Sequence, residues 1–179
     1  MMNWELHTIE NILPEEFHEL IQSNRDHIAK TFPVTLASCI DLEHTQDFIS
    51  NNIEKQHNAT GYFFYIRNSA TKKLMGYVCI KNINNGISKC ELAYFIDREF
   101  EGKGIISKAV SQVVKYCFED LMMNKVFICT STVNMASQRI ATKHGFRQEG
   151  ILREEFKNGD AILEDIVYFG LLKSDYHER

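Results

Sequence analysis

No stretch of the 179 residues approaches the ~20 consecutive apolar positions that a membrane span requires. The opening Met1-Met2-Asn3-Trp4-Glu5-Leu6 has neither the basic region nor the apolar core of a signal peptide, so a cytoplasmic protein is the expectation. Proline is nearly missing: only Pro14 and Pro33 occur, and no Gly-rich, Ser-rich or like-charge stretch reads as a linker. With 44% hydrophobic residues to build a core, one domain over 1–179 is expected. No block repeats at a fixed period, which excludes a solenoid or propeller. Positive charge is not in excess. The formal charge of −4 and pI near 6.0 exclude a broad nucleic-acid-binding face and suit a cationic substrate slightly better. The five cysteines are odd in number and contain no C-x-x-C pair. The seven histidines show no H-x-x-x-H or H-E-x-x-H spacing. Neither a disulfide framework nor a metal site is therefore expected.

What is present divides into helical and extended stretches. Pro14, Glu15 and Glu16, followed by Phe17, Leu20, Ile21 and Ile28, predict an amphipathic helix. A second is expected near Asp41, where Ser38 and Asp41 resemble a capping box ahead of Leu42, Thr45, Ile49 and Ile53. From Gly61 aromatic and β-branched residues take over. Tyr62 to Arg67, Leu74 to Ile83 and Lys89 to Ile96 predict an antiparallel meander, with Asn84-Asn85-Gly86 its clearest turn. After the loop at 97–104, Ile105, Ala109, Val113 and Cys117 form one helical row and Ile106, Val110, Val114 and Phe118 the next, which means deep burial. A strand at Lys125 to Thr130 precedes a helix from about Asn134 to His144 that ends at Gly145. Phe146 to Glu155 and Ala161 to Leu172 then pair as a hairpin across Asn158-Gly159. This order fits an α/β protein of the α+β kind, with one mixed, largely antiparallel sheet and helices on both faces.

Chemistry concentrates at Glu101-Gly102-Lys103-Gly104-Ile105-Ile106. A strand, then a glycine loop, then a buried helix brings unpaired N–H groups and the helix dipole to one point, which suits an anion. Gly102 and Gly104 permit close approach and unusual backbone angles, and Lys103 adds charge at the rim. An isolated G-x-G is more often just a tight turn. A P-loop is excluded, since position 98 holds no glycine and Gly104 follows the Gly-Lys pair. A dinucleotide fingerprint over Gly102, Gly104 and Ser107 lacks its βαβ context. It also lacks the acid expected about 20 residues on, where Asn124-Lys125-Val126-Phe127 stand.

Four segments in order, Cys90-Glu91-Leu92-Ala93-Tyr94-Phe95-Ile96, Glu101 to Ser107, Asn134-Met135-Ala136-Ser137, and Gly145-Phe146-Arg147-Gln148-Glu149-Gly150, together resemble the GNAT acetyltransferase superfamily. The likeness runs from about Gly61 to Leu172 and, more narrowly, is similar to the Rim-type branch, which acetylates N-termini of ribosomal proteins. The loop departs from the broad pattern, Gln or Arg then x-x-Gly-x-Gly/Ala, at Glu101 and Ile106; the Rim-type branch also accepts Ile there. The resemblance implies a GNAT-like acyl-CoA N-acyltransferase fold and acetyl-CoA as cofactor. It further implies that N–H groups of Gly102, Lys103, Gly104, Ile105, Ile106 and Ser107 hold the pyrophosphate. The main chain around Phe95 and Ile96, together with Asn134, would bind the pantetheine arm.

Acetyl transfer to an amine needs a neutral nitrogen and a proton for the leaving thiolate. Glu91, read as lying among apolar neighbours that would raise its pKa, is the candidate base; its other reading is a strand-face salt bridge. Ser137, by the family analogy, would protonate the sulfur or orient the thioester, and its other reading is a helix cap. Tyr94 and Tyr168 offer phenols but read as packing residues, and His44, His57 and His144 read as surface or packing residues. Glu154, Glu155, Asp160, Glu164 and Asp165 read as solvated hairpin charges, with Asp165 the first to examine. A protein α-amine, with a pKa of ~7.7–8.0 against ~10.4 for lysine, is the more nucleophilic acceptor at neutral pH. A ribosomal-protein N-terminus fits that chemistry, and a polyamine or aminoglycoside-like amine fits equally. A CoA-binding sensor without turnover stands as a third reading. A homodimer through the meander or the C-terminal hairpin is compatible with the sequence, although no residue specifies its symmetry.

Overall fold

A computed structural model describes residues 3–177, so Met1 and Met2 of the N-terminal stretch lie outside the described residues. Trp4–Thr8 forms β1, and a 3-10 turn at Ile9–Asn11 leads to α1, Pro14–Ser23. The helix read from Pro14 to Ile28 is broken at Asn24, after which α2, Arg25–Ile28, restarts it. The break has a physical cause: the buried Asn24 turns its amide back to the Leu20 carbonyl at 3.0 Å and accepts the Arg98 N–H at 2.9 Å. A further helix not read from the sequence, α3, covers Pro33–Ser38. Ser38 therefore ends one helix rather than capping the next. Asp41 alone caps α4, Leu42–His57, by accepting the His44 N–H at 2.9 Å.

β2 (Tyr62–Asn68), β3 (Leu74–Asn84) and β4 (Lys89–Ile96) form the expected meander. Positive φ falls on Asn82 and Ser88 rather than on Asn85 or Gly86, and the β3–β4 register shifts between Lys81 and Asn84. α5 (Ile105–Glu119), β5 (Lys125–Ser131), α6 (Met135–Lys143), β6 (Arg147–Lys157), β7 (Leu163–Leu172) and a short α7 (Lys173–His177) complete the chain. The seven strands make one sheet in the order β1-β2-β3-β4-β5-β7-β6, antiparallel throughout except where β4 meets β5. In the last hairpin Asn158 Oδ1 accepts the N–H groups of Asp160 and Ile162 at 2.9 and 3.1 Å. Gly159 is needed for a different reason from turn geometry: a Cβ there would lie 2.2 Å from the Ala29 carbonyl oxygen.

The alternation of β-strand side chains puts a core on each face. On one, Phe63, Tyr65, Tyr77 and Phe95 pack against α1 to α4, with Phe17 edge-on to Tyr65 at 5.3 Å. On the other, the two rows of α5 cover Ile66, Val78, Ile80, Leu92, Val126 and Ile128. Among the described residues no helix is long and apolar enough to cross a membrane.

Candidate active site

β4 and β5 run parallel for only three pairs, Lys89 with Lys125, Cys90 with Val126 and Glu91 with Phe127, and then part. β4 stays paired to β3 as far as Ile96, so beyond Glu91 its other edge has no strand partner. A cavity of about 790 Å³ lies at this gap. Glu91, Tyr94, Asn134, Ser137, Cys129 and Tyr168 all border it, and so do Phe32, Phe48 and Asn52 from the helices of one face.

Glu91 is 7% exposed and sits at the start of the gap. The expectation of an apolar surround needs correction. Its Oε1 lies 3.3 Å from Lys81 Nζ across the β3–β4 pair, and its Oε2 accepts from Asn82 Nδ2 at 2.6 Å. The β3 irregularity aims that amide. The carboxylate is thus held in place by a cation and a hydrogen bond on one side while it borders the cavity.

Tyr94 and Ser137 meet across the gap. The Tyr94 hydroxyl lies 3.1 Å from Ser137 Oγ and 3.3 Å from the Ser137 carbonyl. Burial pushes the phenol up to about 12, against a smaller lowering from the Ser137 hydrogen bond, so Tyr94 holds its proton at neutral pH. Capping falls to Asn134, whose Oδ1 accepts the Ser137 N–H at 3.1 Å; Ser137 Oγ is left to face the tyrosine.

The loop before α5 is positioned from two sides. Asp97 accepts the Glu99 N–H at 2.9 Å, and Asn24 accepts that of Arg98, also at 2.9 Å. Gly102 and Gly104 have φ of 69° and 72°, and an added Cβ at either would meet nothing within 4 Å. Gly104 is the N-cap of α5 and has no side chain to cap it. The first helical bond runs from the Lys108 N–H to the Gly104 carbonyl at 3.2 Å, which makes Ile105, Ile106 and Ser107 the first-turn amides. Ile105 is buried in the core and Ile106 packs against it. Ser107 Oγ lies 2.9 Å from His144 Nε2, tying α5 to the end of α6. Lys103 turns back along the loop, donating to the Glu99 carbonyl at 2.7 Å with its ammonium 5.0 Å from the Phe100 ring centre. Glu101, where the loop departs from the family pattern, stands 3.4 Å from His27 Nε2.

The Phe95 carbonyl faces Gly76 on β3, and the Asp97 N–H donates to Met75 on the same strand at 2.7 Å. Strand alternation then turns the main chain of Tyr94 and Ile96 toward the gap and that of Phe95 away from it. The Phe95 ring packs on Phe32 at 5.1 Å. The hairpin acids also have partners. Asp165 accepts the Glu154 N–H at 2.9 Å and pins an irregularity in β6, Asp160 pairs with Lys30 at 3.4 Å, and Glu164 accepts from Asn158. Glu155 borders the cavity. Tyr168 stacks on Phe127 at 4.8 Å. The five thiols are free, and among the described residues no group of three His, Cys, Asp or Glu side chains could hold a metal.

Residues 8–147 match the family model of the acetyltransferase (GNAT) domain, and the chain belongs to that family. By class it is an acetyl-CoA-dependent N-acetyltransferase. A candidate ribosomal N-acetyltransferase of Bacillus subtilis (strain 168), YdaF, is 38% identical over 104 residues, which is 58% of this chain and 56% of that protein. A spermidine N(1)-acetyltransferase of Vibrio cholerae is 26% identical over 161 residues, 89% of this chain and 87% of that one. The solved structure of RimL, a ribosomal L7/L12 α-N-protein acetyltransferase in complex with coenzyme A, shares the fold. Its TM-score is 0.86 over 98% of this chain and 97% of that chain, at 17% identity.

Proposed function

We propose that this protein acetylates a primary amine from acetyl-CoA, foremost a protein N-terminal α-amine of the ribosomal-protein type. The observation that carries the reading is the gap between β4 and β5, bordered by a carboxylate at Glu91 and by a protonated phenol at Tyr94 beside Ser137. Acetyl-CoA supplies an acyl group already activated as a thioester. The residues fit it: two open left-handed glycines and the uncapped first turn of α5 offer N–H groups from Gly102 to Ser107 to a pyrophosphate. The main chain of Tyr94 and Ile96 and the side chain of Asn134 would hold the arm. Lys103, tied to Glu99, contributes charge from a fixed position rather than a mobile one.

Glu91 takes the proton from the acceptor nitrogen, directly or through water, and Lys81 with Asn82 keeps the carboxylate aimed. Tyr94 Oη and Ser137 Oγ act on the other side as proton donor and relay. Tyr94→Phe is expected to lower kcat about tenfold, with Ser137→Ala adding less than its own single effect because the two act as one unit. Steady-state kinetics on both single variants and the double variant check this, and full additivity would separate their roles.

A polyamine acceptor is the second reading, favoured by the spermidine-acetylating relative aligned over most of this chain. Thiol release from acetyl-CoA, measured with peptides of varied first residue and with a panel of small amines, tests both. Binding of CoA with no thiol release for any amine would overturn the reading in favour of a sensor. A second copy seated on the hairpin, where Ile151, Leu152, Ile162 and Leu163 are exposed, belongs to the same proposal; sedimentation of the wild type and of Leu163→Glu would detect it.

A further inference from the structure

Asn52 and Lys55, one turn apart on α4, border the cavity on the side of the helices and have no part in the chemistry described above. Asn52 is 1% exposed. Its Oδ1 accepts from Lys55 Nζ at 3.3 Å, while its Nδ2 has no hydrogen-bond partner. The ammonium fixes which way round the amide lies, because the reverse orientation would set donor against donor. A buried amide N–H without an acceptor in the protein is uncommon, and an oxygen from water or from a ligand can satisfy it. The other two lysines of the cavity each have a carboxylate: Lys30 lies 3.4 Å from Asp160 and Lys81 3.3 Å from Glu91. Lys55, among the described residues, has only the neutral Asn52 oxygen.

We propose that Asn52 Nδ2 and Lys55 Nζ form an oxygen-binding subsite that takes a carbonyl or carboxylate of the acceptor, which makes the acceptor an aminoacyl compound rather than a polyamine. The inference rests on the acetyl-transfer reading and narrows it. Two donor groups, one of them cationic, call for a lone pair, and a carbonyl or carboxylate oxygen offers it best. A second ammonium would meet like charge here, where the amide oxygen already accepts from Lys55. The cavity's carboxylates, Glu91 and Glu155, stand on the sheet, on β4 and β6, leaving α4 to face the uncharged or anionic part of the substrate. Phe32, Phe48 and Phe63 border the same cavity and offer an apolar wall to the acceptor's side chain. A peptide brings main-chain carbonyls to such a subsite, and a free amino acid brings its carboxylate.

The test titrates the CoA-loaded protein by calorimetry with a Ser-Ala-Ala amide, with free serine and with spermidine, beside steady-state kinetics on the same three. Lys55→Met is expected to weaken the oxygen-bearing acceptor about tenfold in Kd and KM while the KM for acetyl-CoA stays at its wild-type value. Lys55→Glu should weaken it further and improve spermidine. Asn52→Leu should follow Lys55→Met, and should Asn52→Leu not fold, the exposed Lys55 position still decides. The tighter of peptide and serine identifies the source of the oxygen. Unchanged acceptor affinity in both Lys55 variants overturns the subsite, as does wild-type protein binding spermidine more tightly than the other two. If affinity responds but no amine is acetylated, the reaction proposed above fails and the subsite stands. If amines are acetylated without any response at Lys55, the reverse holds.

Discussion

Glu91→Gln is expected to lower kcat/KM for the amine acceptor by about 100-fold or more and to leave the affinity for CoA within about twofold. Glutamine keeps the volume of the side chain and an oxygen for Asn82 Nδ2, so the wall of the cavity is preserved. It loses the one function a base requires, a carboxylate oxygen that can accept the proton of the acceptor nitrogen. The competing reading makes Glu91 a structural ion pair with Lys81. Lys81 is about half exposed, and a pair to a solvated lysine is worth about 1 kcal/mol or less, which would lower the melting temperature slightly and spare turnover. Kinetics and thermal unfolding on the same sample separate the two. Undiminished kcat with a small loss of stability would leave Glu91 as an ion pair and require another base.

The strands of the meander and the helix after the loop were legible because each has a long, regular pattern: a run of aromatic and β-branched residues from Tyr62, and two apolar rows from Ile105. Asn24 shows the limit of that reading. The spacing of Phe17, Leu20, Ile21 and Ile28 is helical, yet a polar side chain between them is drawn to Arg98, 74 residues away, and bends the chain there. The short elements β1, α3 and α7 hold too few residues to display a period. At the site, the glycines and Glu91 stood out in the sequence as candidates because glycine and carboxylate chemistry is local. The company they keep could not. Whether Glu91 has apolar or ionic neighbours depends on the register that sets Lys81 opposite it, and on the positive φ of Asn82. Tyr94 read as a packing residue because its partner Ser137 lies 43 positions on, and only the parting of β4 from β5 lets α6 reach it. Ser137 carried a capping alternative, and the hydrogen bond from its own N–H to Asn134 Oδ1 gives the cap to Asn134 instead. Phe95 and Ile96 are neighbours in sequence, but strand alternation gives only one of them a main chain facing the gap.

Gly104→Val is expected to raise the dissociation constant for CoA about 100-fold, close to 3 kcal/mol, by two separable effects. The first is backbone strain. Gly104 has φ of 72°, a conformation that costs a β-branched residue about 1–2 kcal/mol and so shifts the loop or destabilises the fold. The second is occupation of the ligand's place: a Cβ at Gly104 would touch no protein atom within 4 Å, so the added side chain projects into open space beside the first-turn amides of Ile105 to Ser107. Gly104→Ala carries most of the strain and little of the bulk. Calorimetric titration of CoA into both variants, with thermal unfolding as the measure of strain, divides the loss between these causes. If Gly104→Val binds CoA as tightly as the wild type, the diphosphate does not sit on these amides. The cradle at the start of α5 would then be only a tight turn into a buried helix, the alternative that an isolated pair of glycines always carries.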